Sequence, residues 1–375
     1  MERYKKIGLL LCGMVLMMQS CVTNNLDDCP DSIRYALSFI YTLHTEDSDR
    51  TIDGDYAGFD RFYKDVDKLF IYVFDATTGI CVYADTAKLL SPFSNDFTYS
   101  LPLNVGRYNI ITWGWGRSQG DKTLDISTAI IPIVIPGATS INNAKLQLEK
   151  ATIEGKLENI FYSELKNVEI NAFMSRVDTM PLMNITNTIR IVIPDALSAA
   201  MQDAISISIV GDDGAYYFNS TNRSSDYDNG DYFRTGFNAP NILSSSGNVV
   251  YSPFNKYRTD SILRADPIQL VHPHTGTGRD SMLIVEISTL RLLQDNDNMN
   301  IVIKWNGKTI TLPLLEILQE GLTSSVQRNL DRYHRWQIVF NITQLSKDET
   351  FLTVHIYALD WHVVIQKENV GGVWN

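Results

Sequence analysis

The sequence of 375 residues lacks several features that would place it in a common functional class. Basic residues are in deficit, with 32 Lys and Arg against 43 Asp and Glu and a net charge of -11, which argues against a nucleic-acid-binding protein. No apolar run reaches the length of about 20 residues that a membrane-spanning helix requires. The signatures Gly-x-Ser-x-Gly, His-Glu-x-x-His and a phosphate-binding glycine loop are also missing, so the common hydrolases, zinc peptidases and nucleotide-binding enzymes are not indicated.

Residues that ligate metals are present but are not arranged as a site. His272 and His274 flank Pro273, which forces an extended segment, and no third His or Cys is near in sequence. Segments 225–232 and 295–300 are rich in oxygen ligands but do not follow the spacing of a calcium loop. Strands can bring acidic residues that are distant in sequence together, but no pattern in the sequence indicates an enzyme. We therefore expect no metal, no cofactor and no catalytic residues.

The N-terminus has the three parts of an export signal. The first six residues carry three basic side chains and one acidic, and residues 7–18 form an uncharged apolar run of the length of a secretory signal. The polarity changes abruptly after Cys21, which resembles the lipobox of bacterial lipoproteins although Gln19 occupies a position where a small residue is usual. We expect a lipoprotein signal peptide at 1–20, lipidation of Cys21 by acyl chains such as palmitate, and a tether at 21–30. The alternative is an ordinary signal peptide followed by a coincidental Cys.

Cysteine is scarce, and two of the four cysteines are accounted for by this processing. Cys12 leaves with the signal peptide and Cys21 receives the lipid, so Cys29 and Cys81 remain. In an oxidising compartment a remaining pair suggests one disulfide, with two buried free thiols as the alternative. The signal peptide carries three basic residues and one acidic residue, so its loss takes the net charge from -11 to -13.

The hydrophobic pattern is that of an all-β protein. In the stretch 33–43 every second residue is large and apolar, which predicts a half-buried strand; these residues are Ile33, Tyr35, Leu37, Phe39, Tyr41 and Leu43. Residues 69–74 are apolar on both faces and predict a central strand that is followed by a turn and a second strand. Asn306-Gly307 between two strand patterns is a strong hairpin signal. Only 195–204 and 314–320 look helical.

The length indicates two domains. Two strand-rich blocks are separated by residues 149–170, so we predict an N-terminal β-sandwich at 31–165 and a C-terminal β-sandwich at 166–375. Trp113 and Trp115 lie two apart on one side of a predicted strand. That spacing fits core residues, and it also fits an exposed platform for a sugar.

The order of these segments resembles the FimB/Mfa-type fimbrial anchor family of type V pili. The resemblance covers nearly the whole chain after the signal peptide, and its parts are the lipobox Cys21, LDDCP at 26–30, the alternating strand at 33–43, LFIYVFD at 69–75, GICVY at 79–83, GRYNIITWG at 106–114 and LDWHVV at 359–364. It implies two tandem transthyretin-like antiparallel β-sandwich domains with few short helices. It also implies a surface-exposed lipoprotein of the outer membrane, part of a fimbrium, that holds the shaft and limits its length.

The partners implied are the pilin subunits of the same fimbrium and the outer-membrane lipid reached through Cys21. Association would proceed by β-strand pairing, in which main-chain hydrogen bonds supply affinity and alternate side chains supply register. A subunit that keeps its own first strand, here 33–43, has no open groove and can cap growth. The candidate pairing strands are 336–342 and 352–365. The alternatives are a surface glycan-binding lipoprotein and a fimbrial tip or shaft adhesin.

Overall fold

The computed structural model describes a large part of the chain. The described residues are 34–41, 60–88, 97–116, 125–126, 129–131, 133–172, 175–193, 204–221, 239–242, 248–259, 282–292, 298–305, 307–320, 335–344, 350–358 and 361–367. The predicted signal peptide and tether, with Cys21 and Cys29, lie outside them, as do His272, His274 and most of the helix predicted at 195–204. Among the described residues no helix is long and apolar enough to cross a membrane.

Nearly all regular structure in the described residues is β-strand. The first strands and the first helix are β1 (Arg34–Ile40), α1 (Phe62–Asp65), β2 (Val66–Asp75), β3 (Cys81–Lys88), β4 (Thr98–Leu101), β5 (Gly106–Gly116), β6 (Asp125–Ile126), β7 (Ala129–Ile130), β8 (Lys145–Leu148), β9 (Thr152–Ile153), β10 (Lys156–Leu157), β11 (Ile160–Ile170), β12 (Ser175–Pro181) and β13 (Met183–Asn184). The remaining elements are β14 (Thr186–Ile193), β15 (Ser206–Gly211), β16 (Ala215–Thr221), β17 (Ala239–Ile242), β18 (Val249–Tyr251), β19 (Pro253–Thr259), β20 (Met282–Leu290), β21 (Asn300–Trp305), β22 (Lys308–Pro313), α2 (Leu314–Glu320), β23 (Arg335–Gln344), β24 (Thr350–Ala358) and β25 (Trp361–Lys367). The prediction of an all-β fold with few short helices is confirmed.

Two sheets form the N-terminal part of the fold. The first-strand sheet has the order β12-β1-β4, and the N-terminal sheet has the order β13-β11-β5-β2-β3. A cluster of buried apolar side chains contains residues of both sheets, including Leu37, Leu69 and Ile110. Strand β2 is buried on both faces, because Ile71 and Val73 belong to this cluster while Tyr72 and Phe74 belong to a second cluster. The sequence prediction of a doubly buried central strand at 69–74 is therefore confirmed.

The second cluster continues from the N-terminal sheet into the rest of the molecule. It contains Trp113 of β5 together with Ile189 of β14, Ile209 of β15 and Trp336 of β23. Strands β14 and β23 belong to a six-stranded C-terminal sheet of order β19-β20-β14-β23-β24-β25. Strand β15 belongs to a five-stranded sheet of order β22-β21-β15-β18-β9. One continuous apolar core thus joins the two strand-rich blocks.

Strand pairing does not follow the predicted domain boundary. Residues 165 and 166 both lie inside β11, which pairs with β5, and β12 pairs with β1. In the opposite direction β8 pairs with β16 in a sheet of order β17-β16-β8-β7, and β9 pairs with β18. Most strands up to Asn184 are therefore grouped with the N-terminal strands, while three short strands before β11, namely β7, β8 and β9, join sheets formed with later strands. The division into two domains stays a prediction.

A buried ion pair spans two strands of the C-terminal sheet. Arg190 of β14 lies directly opposite Glu286 of β20, and its Nε and Nη2 donate to Glu286 Oε1 at 2.9 and 2.6 Å. Asn255 donates to the other carboxylate oxygen at 2.9 Å. A slip of β14 by one residue against β20 would put the two side chains on opposite faces of the sheet. The pair therefore fixes the register of β14 against β20.

The turn between β15 and β16 carries a buried acid. Asp213 is fully buried, and its Oδ1 accepts a hydrogen bond of 2.9 Å from the hydroxyl of Tyr251. Burial raises the pKa of Asp213 to about 7, although the hydrogen bond from Tyr251 acts in the opposite direction. Because a charged carboxylate in this position would be poorly solvated, the surrounding fold favours the protonated acid.

Candidate strand-pairing site

Strand β1 occupies the centre of the first-strand sheet. It pairs in parallel with β12, from Arg34 opposite Ser175 to Ile40 opposite Pro181, and antiparallel with β4, from Tyr35 opposite Leu101. The main chain of β1 thus has a neighbouring strand on each side, and both neighbours come from this chain. The sequence predicted the strand, and the structure confirms it as β1.

The alternation predicted for 33–43 appears as a buried face of β1. Tyr35 and Leu37 are almost completely buried, and Phe39 and Tyr41 are also buried, whereas Arg34 is exposed. Phe39 stacks on Phe62 of α1 with ring centroids 5.5 Å apart. Ile33 and Leu43 lie outside the described residues. The odd-numbered side chains from 35 to 41 therefore fill the space over the N-terminal sheet.

Polar contacts hold β1 against β12. The hydroxyl of Tyr35 donates to Asp178 Oδ2 at 2.8 Å, and Ser38 Oγ lies 2.9 Å from Thr179 Oγ1. Burial, with the hydrogen bond to Asp178, raises the pKa of Tyr35 far above its usual value. Tyr35 therefore remains a neutral donor at every physiological pH, and the contact does not depend on ionisation of the phenol.

Side chains also join an edge of the first-strand sheet to an edge of the N-terminal sheet, on the side of β1 away from β12. Tyr83 and Asp85 lie on β3, and Tyr99 lies on β4. The two phenol oxygens are 2.7 Å apart, and Tyr99 donates to Asp85, whose pKa this hydrogen bond lowers. This network links β3, an edge of the N-terminal sheet, to β4, an edge of the first-strand sheet. It therefore closes the space between the two sheets along this edge. Sequence reasoning missed it, because Tyr99 lies 16 positions from Tyr83 with no local pattern linking them.

The two predicted pairing strands near the C-terminus differ in whether their main chain is open to a further strand. Residues 336–342 lie in β23, which is interior to the C-terminal sheet and pairs with β14 in parallel and with β24 antiparallel. Residues 352–365 form most of β24 and β25, which pair with each other. Among the described strands β25 is an edge of the sheet, so one side of its main chain remains open to a further strand.

The two tryptophans considered for a sugar platform belong to the interior. Trp113 is fully buried, with its ring 4.8 Å from that of Tyr162 and 5.6 Å from that of Phe218. Trp115 is partly buried, packs against the same cluster and meets the ring of Phe70 edge to face at 4.8 Å. Trp113 cannot present a stacking face to a glycan, and the core interpretation is correct for it.

Cys81 is buried at the start of β3. Its Sγ lies 3.2 Å from the carbonyl oxygen of Tyr83, and burial raises the pKa of the thiol, which keeps it protonated at neutral pH. It is a free cysteine with respect to the described residues. Since Cys29 lies outside them, the Cys29–Cys81 disulfide stays a prediction. Among the described residues no group of three or more potential metal ligands occurs.

Comparison with solved structures places this arrangement in a known fold. Similar structures include a candidate polysaccharide-binding protein of Bacteroides thetaiotaomicron, with 19% identity, a TM-score of 0.61 and coverage of 90% of this chain and 99% of that chain. A candidate adhesin of the same organism has 20% identity, a TM-score of 0.60 and coverage of 91% and 100%. The fimbrial anchor protein Mfa2 of Porphyromonas gingivalis has 15% identity, a TM-score of 0.55 and coverage of 88% and 99%. At these identities the likeness establishes the fold.

Comparison of sequences establishes the family. No curated protein matches the chain. The sequence profile of the family described as fimbrillin-A associated anchor proteins Mfa1 and Mfa2 matches residues 26–367. That match includes β1, both N-terminal sheets and the C-terminal strands up to β25. The chain therefore belongs to the family of fimbrillin-A associated anchor proteins.

Proposed function

We propose that this protein is a fimbrial anchor or assembly subunit that is lipidated on Cys21 and held in the outer membrane at the cell surface. It would hold the fimbrial shaft and limit its length through β-strand pairing with pilin subunits. Family membership supports the fimbrial role. The basic and apolar segments before Cys21, and the polar segment after it, support the lipid anchor. The observation that carries it is the position of β1 between β12 and β4.

Retention of β1 has an energetic consequence for assembly. Four large side chains, those of Tyr35, Leu37, Phe39 and Tyr41, are buried on one face of the strand. At about 1.5–3 kcal/mol for each full burial, the sum is on the order of 10 kcal/mol before the entropy of ordering the strand is subtracted. A strand from another subunit would have to displace β1 before it could occupy this groove. Growth by strand addition would therefore stop at this subunit.

Contact with the shaft requires a different surface. Among the described strands, β25 is an edge of the C-terminal sheet and offers main-chain groups along one side. We place the pairing with a pilin subunit along this edge. The N–H groups of neighbouring residues on a strand point to opposite sides, so of Val363 and Val364 one directs its N–H towards β24 and the other directs its N–H outwards.

Proline substitution at these two positions separates the roles of the two sides. Val363→Pro and Val364→Pro each remove one N–H, and the two variants serve as controls for each other. The variant that loses the bond to β24 should be destabilised. The variant that loses the outward N–H should keep its unfolding midpoint but retain fewer fibres on the cell. If neither folded variant alters fibre retention, β25 is not the contact with the shaft.

The role of the whole protein is tested in cells. Electron microscopy of a strain that lacks the gene, with fibres counted on cells and in the medium, should show fibres that are longer or shed. A Cys21→Ser strain should release the protein from membrane fractions and incorporate no fatty acid at this position. Fibres that stay attached and of normal length in the deletion strain would exclude the anchor role.

A further inference from the structure

One loop exposes apolar side chains to an unusual degree. Ile133 has 87% of its surface exposed and Ile135 has 54%, and both lie in a short segment that we name the apolar loop, residues 133–137. Single exposed apolar residues are common, and two exposed isoleucines on one short loop form a local apolar surface that is available for contact. Ile131 and Val134 are only partly buried and pack against the core, so the loop is fixed at its base.

Hydrogen bonds hold the loop in this conformation. The N–H of Ile135 donates to Thr139 Oγ1 at 2.8 Å, and the N–H of Thr139 donates back to the carbonyl of Ile135 at 2.9 Å. Gly137, with φ of +80°, donates to the carbonyl of Cys81 at 2.7 Å, and Cys81 donates to the carbonyl of Thr139 at 2.8 Å. The loop is therefore tied to β3, and the isoleucines are presented by an ordered turn.

The start of β1 lies at one end of the N-terminal sheet. Tyr35 pairs with Leu101, and only four residues separate Leu101 from Gly106, the first residue of β5. Arg34 pairs with Ser175, and only four residues separate Ser175 from Ile170, which pairs with the same Gly106. Two independent connections thus place the point where the chain enters β1 at the end of the sheet marked by Gly106.

The apolar loop lies at this same end. Asp75 at the end of β2 pairs with Tyr108, and the next residue, Ala76, donates to the carbonyl of Arg107 at 2.9 Å. The turn that follows reaches Gly79, whose carbonyl accepts a hydrogen bond from Ile141, just after the loop. Val105, which is 59% exposed and adjoins β5, adds to the apolar surface there. Arg34, the first described residue of β1, and the apolar loop therefore lie at the same end of the N-terminal sheet.

The charges at this end balance. Among the described residues near Gly106, the basic side chains of Arg34, Arg107 and Arg176 are matched by the acidic side chains of Asp75, Glu169 and Asp178. Contact with this surface would therefore depend on apolar burial much more than on net charge, and it should be insensitive to salt.

We propose that the apolar loop is a second membrane contact, which inserts Ile133 and Ile135 into the surface of the lipid bilayer beside the acylated N-terminus. This inference rests on the proposed lipidation of Cys21, which would hold the protein at the membrane. Cys21 lies 13 residues before Arg34, which limits the distance between the lipid and β1 to about 45 Å at full extension. A tether of this length keeps the loop at a high effective concentration near the membrane, so that a weak apolar contact is sufficient to fix the orientation of the protein.

Depth-dependent fluorescence quenching tests the contact directly. In vesicles of ordinary phosphatidylcholine, the acylated Ile133→Trp variant emits more tryptophan fluorescence than the acylated unsubstituted protein. In vesicles of phosphatidylcholine with brominated acyl chains, this additional emission should be quenched. Tyr63→Trp is the matched control, because Tyr63 is 40% exposed and lies on α1, next to the other end of β1. Its additional emission should not change. Equal emission of the Ile133→Trp variant in both lipids would overturn the proposal.

A second test does not depend on acylation. It measures the partition between water and phosphatidylcholine vesicles of a chain that begins at Val22 and therefore carries no lipid. Ile133→Ser/Ile135→Ser should lower its partition into phosphatidylcholine vesicles roughly tenfold to hundredfold, at low and at high salt, while Tyr63→Ser leaves it unchanged. The unfolding midpoint should stay constant, because both isoleucines are exposed. Unchanged partition with loss of binding to purified shaft subunits would instead assign the loop to a protein partner. A lack of fatty acid on Cys21 would overturn the lipid anchor without affecting this result.

Discussion

Leu37→Ala is the most informative single change in β1. Leu37 lies in the middle of the strand, is completely buried, and faces the cluster between the first-strand sheet and the N-terminal sheet. It is opposite Asp178 on β12 and Tyr99 on β4, so it cannot move without disturbing both neighbouring strands. The substitution removes apolar contacts and changes no charge.

The expected cost follows from burial. Leucine-to-alanine changes at fully buried positions cost about 3–5 kcal/mol, which combines the lost transfer free energy with the cavity that remains. Because Leu37 is held between strands on both sides, we expect little collapse around the cavity and a cost of about 4 kcal/mol. That is a large fraction of the 5–15 kcal/mol typical of a folded domain.

Urea unfolding and hydrogen exchange measure the effect. Leu37→Ala should lower the urea midpoint and speed exchange of the β1 amides, because the strand opens more often. Ser38→Ala is the matched control on the same strand, since Ser38 is only half-buried and loses two contacts, that with Thr179 Oγ1 at 2.9 Å and a long one of 3.5 Å to the carbonyl oxygen of Asp178. It should cost less than about 1 kcal/mol. If the two variants lose equal stability, β1 does not pack as described and the closed groove is refuted.

Three further predictions concern other parts of the molecule. The raised pKa of Asp213 should make stability fall as pH rises from about 4 through about 7, by on the order of 4 kcal/mol in total, and Asp213→Asn should remove this slope in unfolding measured from pH 4 to pH 8. Gly211→Ala should destabilise by about 1–3 kcal/mol in urea, since a Cβ there would overlap Sδ of Met299; an unchanged midpoint would contradict that packing. Thiol counting on the denatured, unreduced mature chain should find no free thiol if Cys29 and Cys81 are bonded, whereas two thiols would refute the bond.

Local patterns were sufficient to predict many of the strands. The alternation at 33–43 gave β1, and the doubly apolar run at 69–74 gave β2. Asn306-Gly307 correctly separates β21 from β22, and residues 314–320 form α2 as predicted. These elements are encoded by side-chain periodicity and turn residues over short distances, which a sequence displays directly.

The pairing of β1 could not be predicted in the same way. Its parallel partner β12 is mostly exposed, with Val177 at 56%, so the segment carries no apolar alternation that would mark it as a strand. Arg34 and Ser175 meet across more than 140 positions of sequence, and tertiary packing alone fixes this register. The same reason explains why β11 crosses the predicted boundary at 165, because the composition of 149–170 does not show which sheet each segment joins.

The claim that β1 closes its own groove can be tested most directly with a labelled peptide of residues 33–43. The full mature chain should not bind this peptide, because β1 already lies between β4 and β12. A chain that begins at His44, refolded with the peptide, should bind it and recover its unfolding transition. Binding of the peptide to the full mature chain, with an affinity similar to that of the shortened chain, would show that the groove is open and that β1 does not close it.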